Sequence, residues 1–183
     1  SAFYALGSTV TLVSSRDRVL PGEDVDAAGV LEDVFTRRGL NVRSRSRAVA
    51  AHRVDDSVIV ALDDSSTLQG SHVLMAVGSL PNTDDLSLES AGVSTDSRGF
   101  ITVDRVSRTS ARHVYAAGDC TGVNMLASVA AMQGRIAMYH ALGDAVAPLE
   151  STAISSTIFT EPEIATVGLQ QADLDNESFR GTS

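Results

Sequence analysis

Lysine is absent: all 14 basic side chains are arginine, set against 23 Asp+Glu for a formal net charge of -9. With no basic run anywhere, this acidic balance argues against nucleic acid or an anionic membrane surface as partner. No apolar run reaches the roughly 18 residues that a bilayer-spanning helix needs, so no membrane span is expected. Cysteine occurs once, at Cys120. A lone cysteine excludes an intrachain disulfide and a cysteine zinc site, and it suits a reducing cytoplasm. Internal repeats and low-complexity tracts are missing too. What is present is a 183-residue chain with 43% hydrophobic residues. That is enough for one domain or parts of two, and too apolar for a disordered chain.

The order of elements reads as α/β. Ser1 to Leu6 is helix-compatible, with Gly7 as its stop. Thr9 to Val13 is β-branched and reads as a strand buried on both faces. Asp24 caps a predicted helix with apolar positions Ala28, Leu31, Val34 and Phe35, acids in its first turn, Arg37 and Arg38 in its last, and Gly39 as its end. Arg47 to Arg53 and Ser57 to Leu62 form a solvated antiparallel ribbon joined at Asp55-Asp56. Ser71 to Val77 is a further buried strand. Short strands are expected near Phe100 to Val103 and at His113 to Ala116. Leu126 to Leu142 is apolar almost all round and reads as a buried helix. Pro148 begins a segment with strands of its own, and Ser178 to Ser183 is a polar, frayed end.

Three segments carry chemistry. At the first, Val13-Ser14-Ser15-Arg16, a strand tip offers hydroxyls and a guanidinium with no carboxylate before Asp17. In a doubly wound fold this tip reads the adenine ribose: an acid accepts from the 2′-hydroxyl, whereas a base accommodates a 2′-phosphate. Taken alone, Arg16 reads more readily as a solvated loop residue. At the second, Ala76 to Asn82, Gly78 follows a strand and permits close backbone approach before a Pro-Asn turn. By itself this is a strand and a turn. The third, Val114 to Asp119 followed by Cys120 to Asn124, presents Gly118-Asp119 at a strand end ahead of the long helix. A carboxylate there can accept from two hydroxyls of a polyol, and the helix start near Met125 to Ala127 offers free N–H groups and partial positive charge. Gly-Asp is also a common turn. His52, His72, His113 and His140 have no metal-ligand spacing and read as structural, and no metal site is expected. Asp55-Asp56, Asp63-Asp64 and Asp84-Asp85 read as solvated turns.

Together and in this order, the segments resemble the pyridine nucleotide-disulfide oxidoreductase family, from Ser1 to about Asp173. Ser1 to Arg18 looks like the helix and second strand of its NAD(P) domain. Val73 to Asn82, with Ser87 to Val93, is similar to its strand, glycine, Pro-Asn and Leu-Glu-Ala-Gly passage. Gly99 to Asp119 resembles the second FAD-contacting motif, and Phe159 to Gly168 the opening of the interface domain. Cys120 to Arg135 looks most like lipoamide-dehydrogenase-like NAD(P)H quinone reductases, with soluble transhydrogenases similar in the same helix.

The resemblance implies a Rossmann-like NAD(P) domain with an edge ribbon in residues 1–82. It implies the C-terminal part of an FAD domain in 83–147 and the start of an α+β dimerisation domain in 148–183. It implies FAD at Gly118, Asp119, Met125, Leu126 and Ala127, with Asp119 on the ribityl chain. It implies NAD(P)H at Ser14, Ser15, Arg16, Ala48 and Gly78. The expected function is hydride transfer from NAD(P)H to flavin and on to a quinone or another small acceptor, in a cytoplasmic homodimer. Dihydrolipoamide dehydrogenase or transhydrogenase is the alternative within the family, and a non-catalytic nucleotide-binding protein the alternative outside it. Departures are Ser14 in place of the usual strand-tip acid and Ser79 in place of an arginine. The family's glycine fingerprints, redox cysteine pair and His-Glu pair have no counterpart in these residues. No catalytic residue is therefore expected within them, and the segment alone is expected to bind FAD poorly and to be inactive.

Overall fold

A computed structural model describes residues 1–175. The expected frayed end, Ser178 to Ser183, lies outside the described residues. The chain divides into two compact units: Ser1–Ala76 with the segment from Thr157 onward, and Val77–Ser156.

In the first unit, helix α1 (Ala2–Ala5) ends at Gly7, whose φ of 91° is left-handed and favours glycine. Strand β1 (Thr11–Val13), helix α2 (Val25–Arg37) and strand β2 (Asn41–Arg43) follow. β1 and β2 pair in parallel, with Val13 opposite Arg43. Parallel strands require a crossover, which α2 supplies. Asp24 caps α2 as expected, its carboxylate accepting from the Asp26 amide at 3.0 Å. Ala28, Leu31 and Phe35 turn inward, and the latter two pack with Val19, Leu40 and Ile164. Strand β2 has only three residues, too few to show a period in the sequence. β1 is shorter and less covered than Thr9 to Val13 suggested. Thr11 is exposed, and the only strand beside β1 among the described residues is β2.

Strands β3 (Ala48–Val54), β4 (Ser57–Leu62) and β5 (Thr67–Gly70) form an antiparallel sheet in that order. The β3–β4 hairpin is the expected ribbon. It turns at Asp55-Asp56, with Asp55 at a φ of 51° that aspartate tolerates. β5, four residues of mixed polarity, carries no periodic signal and was not anticipated. Ser71 to Val77 is not a buried strand. It belongs to no ladder, and Val73, Leu74, Met75 and Val77 are exposed, as is His72. A strand is buried only where neighbours pair with it and layers cover it, and the described residues supply neither. Strands β6 (Ser155–Ile158) and β7 (Ile164–Val167) pair after Pro148, as expected of that segment. Helix α4 (Gln171–Asp175) follows. The Gln171 amide donates to Asp24 Oδ2 at 3.2 Å, so one carboxylate serves α4 and caps α2.

The second unit has little ladder structure. The strands expected near Phe100 to Val103 and at His113 to Ala116 contract to single bridges, Thr95–Ile101 and Arg108–Tyr115. Hydrogen bonds from carboxylates and hydroxyls replace ladders here. Asp96 Oδ1 accepts from the amides of Arg98 and Phe100, and Asp104 Oδ1 from those of Val106 and Arg108. Helix α3 (Ala127–Ala141) is apolar on both faces but buried on one only. Val129, Gln133, Ile136 and Ala137 face inward, while Met132, Met138 and Tyr139 are exposed because no described layer covers that face.

Leu31, 1% exposed, is the centre of the first unit's core. Leu31→Ala is expected to cost about 2–5 kcal/mol in chemical unfolding, with a parallel fall in Tm. The main-chain amides of Gln171, then of Asp26, hold the Asp24 carboxyl below the usual carboxylate range. Its contribution is therefore present above that range and lost as pH falls through the lowered value. Asp24→Asn keeps a cap but removes this titration, so Tm at pH 7 should fall modestly and the acid limb of a Tm–pH curve should flatten, the two proteins converging at low pH.

Candidate functional site

The second unit carries a cleft of about 400 Å³ bounded by Pro81, Asn82, Phe100, Asp119, Cys120 and Met125. Two of the three sequence segments thus meet: the Pro-Asn turn after Gly78 and the Gly118-Asp119 turn. Gly99 lets the first approach closely, since a Cβ there would stand 3.3 Å from Pro81, and Thr83 Oγ1 donates to the Gly99 carbonyl at 2.9 Å.

The Gly118-Asp119 turn is built from within. The amide of Ile101 donates to the Cys120 carbonyl at 2.8 Å, tying the buried Phe100-Ile101 pair to the turn. Gly118 takes φ 88° and ψ -160°, which side-chain-bearing residues rarely adopt, and leads into a 3-10 turn over Asp119–Thr121. Its amide donates to Gln133 Oε1 at 2.8 Å, and its carbonyl accepts from Thr121 Oγ1 at 2.8 Å. Gly118 is buried and Asp119 is exposed. Among the described residues the Asp119 carboxylate has no hydrogen-bond or ion-pair partner. It stands on a turn after a bridge, not at the rim of a continuous sheet. Cys120 is half-buried, its thiol directed at the Ala117 carbonyl at 3.5 Å.

Leu126 is the N-cap of α3 and Ala127 its first residue. No side chain caps this end and no acid lies in its first turn, so its first N–H groups and partial positive charge remain available. Hydroxyl-accepting Asp119 and this helix mouth suit a ribityl chain and an electron-rich ring edge, which is the chemistry FAD presents.

In the first unit, the tip of β1 holds Ser14, Ser15 and Arg16. The Arg16 amide donates to Ser14 Oγ at 3.2 Å, fixing a tight bend. The loop after β2 closes onto it: the amides of Arg45 and Ser46 donate to the carbonyls of Arg16 and Ser14 at 2.7 and 2.9 Å. Ala48, exposed at the start of β3, lies two residues beyond Ser46. The loop carrying Arg45 and Ser46 thus meets Ser14 and Arg16, and Ala48 follows that loop in sequence. Asp17, the next residue, is paired with Arg18 at 3.5 Å, whereas no described residue accepts from the exposed Arg16 guanidinium. Gly78 lies in the other unit, exposed at a φ of 121°.

A family model described as pyridine nucleotide-disulphide oxidoreductase matches residues 1–134. The chain belongs to this family. An NAD(P)H dehydrogenase (quinone) of Mycobacterium tuberculosis is 52% identical over 174 residues, covering 95% of this chain and 35% of that protein. A dihydrolipoyl dehydrogenase of Haloferax volcanii is 36% identical over 184 residues, covering 98% of this chain and 38% of that protein. The crystal structure of LpdA from Mycobacterium tuberculosis superposes with a TM-score of 0.92 at 51% identity, covering 98% of this chain and 39% of that one. The chain thus spans well under half the length of these relatives. Pyridine nucleotide-disulphide oxidoreductases use FAD and NAD(P)H, and their mixed α/β architecture is that of this chain.

Among the described residues no group of three or more His, Cys, Asp or Glu is arranged to hold a metal, and no helix is long and apolar enough to cross a membrane. Sequence reasoning missed Gln133 and Thr121, which hold the Gly118-Asp119 turn. The available signal was a glutamine on the same helical face as Val129, Ile136 and Ala137. It also missed the pairing of His140 Nδ1 with the Tyr115 hydroxyl at 2.8 Å.

Gly122 closes the 3-10 turn at a φ of 65°, and a Cβ there would lie 2.8 Å from the ring of Phe100. Gly122→Ala is expected to destabilise this unit by about 1–3 kcal/mol, read as a lower Tm in calorimetry.

Proposed function

We propose that the protein containing this chain is an FAD-dependent oxidoreductase that takes hydride from NAD(P)H and delivers electrons to a quinone or a similar small acceptor. The observation that carries this reading is the Asp119 carboxylate, without a partner among the described residues and set in a cleft of about 400 Å³ with the open N-terminus of α3 nearby in sequence. When bound, FAD supplies the two-electron chemistry between nicotinamide and acceptor. The chain's own residues bind and orient. Asp119 accepts from ribityl hydroxyls, and the Gly118 turn holds it at the cleft. The backbone of Met125, Leu126 and Ala127 faces the pyrimidine edge, where the helix end favours developing negative charge.

Ser14, Ser15 and Arg16 meet the adenosine half of the nicotinamide coenzyme, with Ala48 beside it and Gly78 at the nicotinamide half. With Asp17 tied to Arg18, Arg16 biases the site toward the 2′-phosphate of NADPH. The quinone assignment follows the 52%-identical relative of that name. A disulfide acceptor is the second reading, favoured by the dihydrolipoyl dehydrogenase at 36% identity. We further propose residues 1–82, 83–147 and 148–183 as parts of NAD(P), FAD and dimerisation domains of a cytoplasmic homodimer.

The full-length protein should be yellow, and its flavin absorbance should bleach when NADPH is added without oxygen. A colourless protein, or one inert to both nicotinamides, would support a binding-only role instead. Arg16→Ala should raise KM for NADPH about ten- to hundred-fold, the worth of one charge-assisted hydrogen bond, and change that for NADH little. Equal effects on both coenzymes would remove the 2′-phosphate assignment.

A further inference from the structure

Gln133 lies in the middle of α3, 1% exposed, among the inward-facing Val129, Ile136 and Ala137. A carboxamide withdrawn so fully from water is tolerated only if its polar atoms are bonded. Here the bonds close on one backbone residue. Gln133 Oε1 accepts from the Gly118 amide at 2.8 Å, and Gln133 Nε2 donates to Thr121 Oγ1 at 3.3 Å. Thr121 Oγ1 in turn donates to the Gly118 carbonyl at 2.8 Å, beside the Thr121 amide at 2.9 Å. The orientation is unambiguous: a main-chain N–H can only donate, and a hydroxyl committed to a carbonyl can only accept from the carboxamide. Both polar groups of Gly118 are thereby held, and the next residue is Asp119.

We propose that Gln133 is the positioning residue for the Asp119 carboxylate, fixing through Gly118 and Thr121 the turn that presents it to FAD. This rests on the flavin reading given above. Without the carboxamide, the Gly118 amide is buried and unpaired, and the turn relaxes toward whatever conformation satisfies it. Gln133 touches no cofactor atom; it acts only through the backbone.

The test uses the full-length flavoprotein. It measures the FAD dissociation constant after reversible removal of flavin, and amide exchange of the peptide spanning Gly118 by mass spectrometry. Gln133→Met keeps the volume but loses both hydrogen bonds. It should raise the dissociation constant at least tenfold and deprotect the Gly118 peptide selectively. Gln133→Glu keeps an acceptor for Gly118, so its affinity should stay within threefold of the unaltered protein. Ile136→Ala, one turn along the same buried face, should lower Tm without selective loss of protection at Gly118. The proposal is overturned if Gln133→Met binds FAD within twofold with Gly118 still protected, or if Ile136→Ala reproduces both effects. If Gln133→Met does not fold, Gln133→Glu decides. A tenfold loss of FAD affinity with Gly118 still protected overturns the proposal, whereas retained affinity and protection support it. Asp119→Ala separates the two claims. Unchanged FAD affinity in that variant removes the flavin reading, while Gly118 exchange in the Gln133 variants still reports whether the carboxamide holds the turn.

Discussion

The amide of Gly118 is buried in a backbone conformation that favours glycine, and it must be hydrogen-bonded from inside the second unit. Most of what this unit offers to a ligand follows from how that demand is met. Gln133 meets it from the buried face of α3, and Thr121 returns a hydroxyl to the same residue. The turn is therefore set against the helix, and Asp119 is left exposed with no partner among the described residues. A carboxylate consumed by an internal ion pair would have nothing to give a polyol. Here the internal bonding falls on the backbone and the charged group stays free.

The two long helices differ at their N-termini in the same sense. Helix α2 is closed by Asp24, which accepts from Asp26 and also from Gln171. Helix α3 has neither a capping side chain nor a first-turn acid. One end is spent on stability and the other is left with unpaired donors, as an electron-rich ligand edge requires. A parallel contrast appears at the tip of β1. Asp17 and Arg18 neutralise each other, while Arg16 faces solvent on a loop whose backbone is pinned by the Arg45 and Ser46 amides. The arrangement leaves charge available where an anionic ligand would meet it.

Much of this was legible in the residues. Asp24, Leu31, Phe35 and Gly39 announce α2 by cap, period and stop, and alternating residues about Asp55-Asp56 announce the hairpin. These signals are local, and local signals read well. Ser71 to Val77 misled because an apolar run carries no information about whether a neighbouring strand exists to cover it. Met132, Met138 and Tyr139 misled for the same reason on α3. Asp119 stood out as a carboxylate after glycine, and the structure sets it in the same cleft as the Pro81-Asn82 turn. Gln133 did not stand out, because its partners lie 12 and 15 residues away in sequence and only the folded turn brings them to it.

The central claim is that Asp119 grips the sugar-alcohol chain of a flavin. A crystal structure of the full-length protein with FAD bound tests it most directly. The account predicts an Asp119 carboxylate oxygen within about 3 Å of a ribityl hydroxyl, with the Gly118 amide still on Gln133. A flavin whose ribityl chain is held by other groups, with Asp119 turned away from it, would contradict the account.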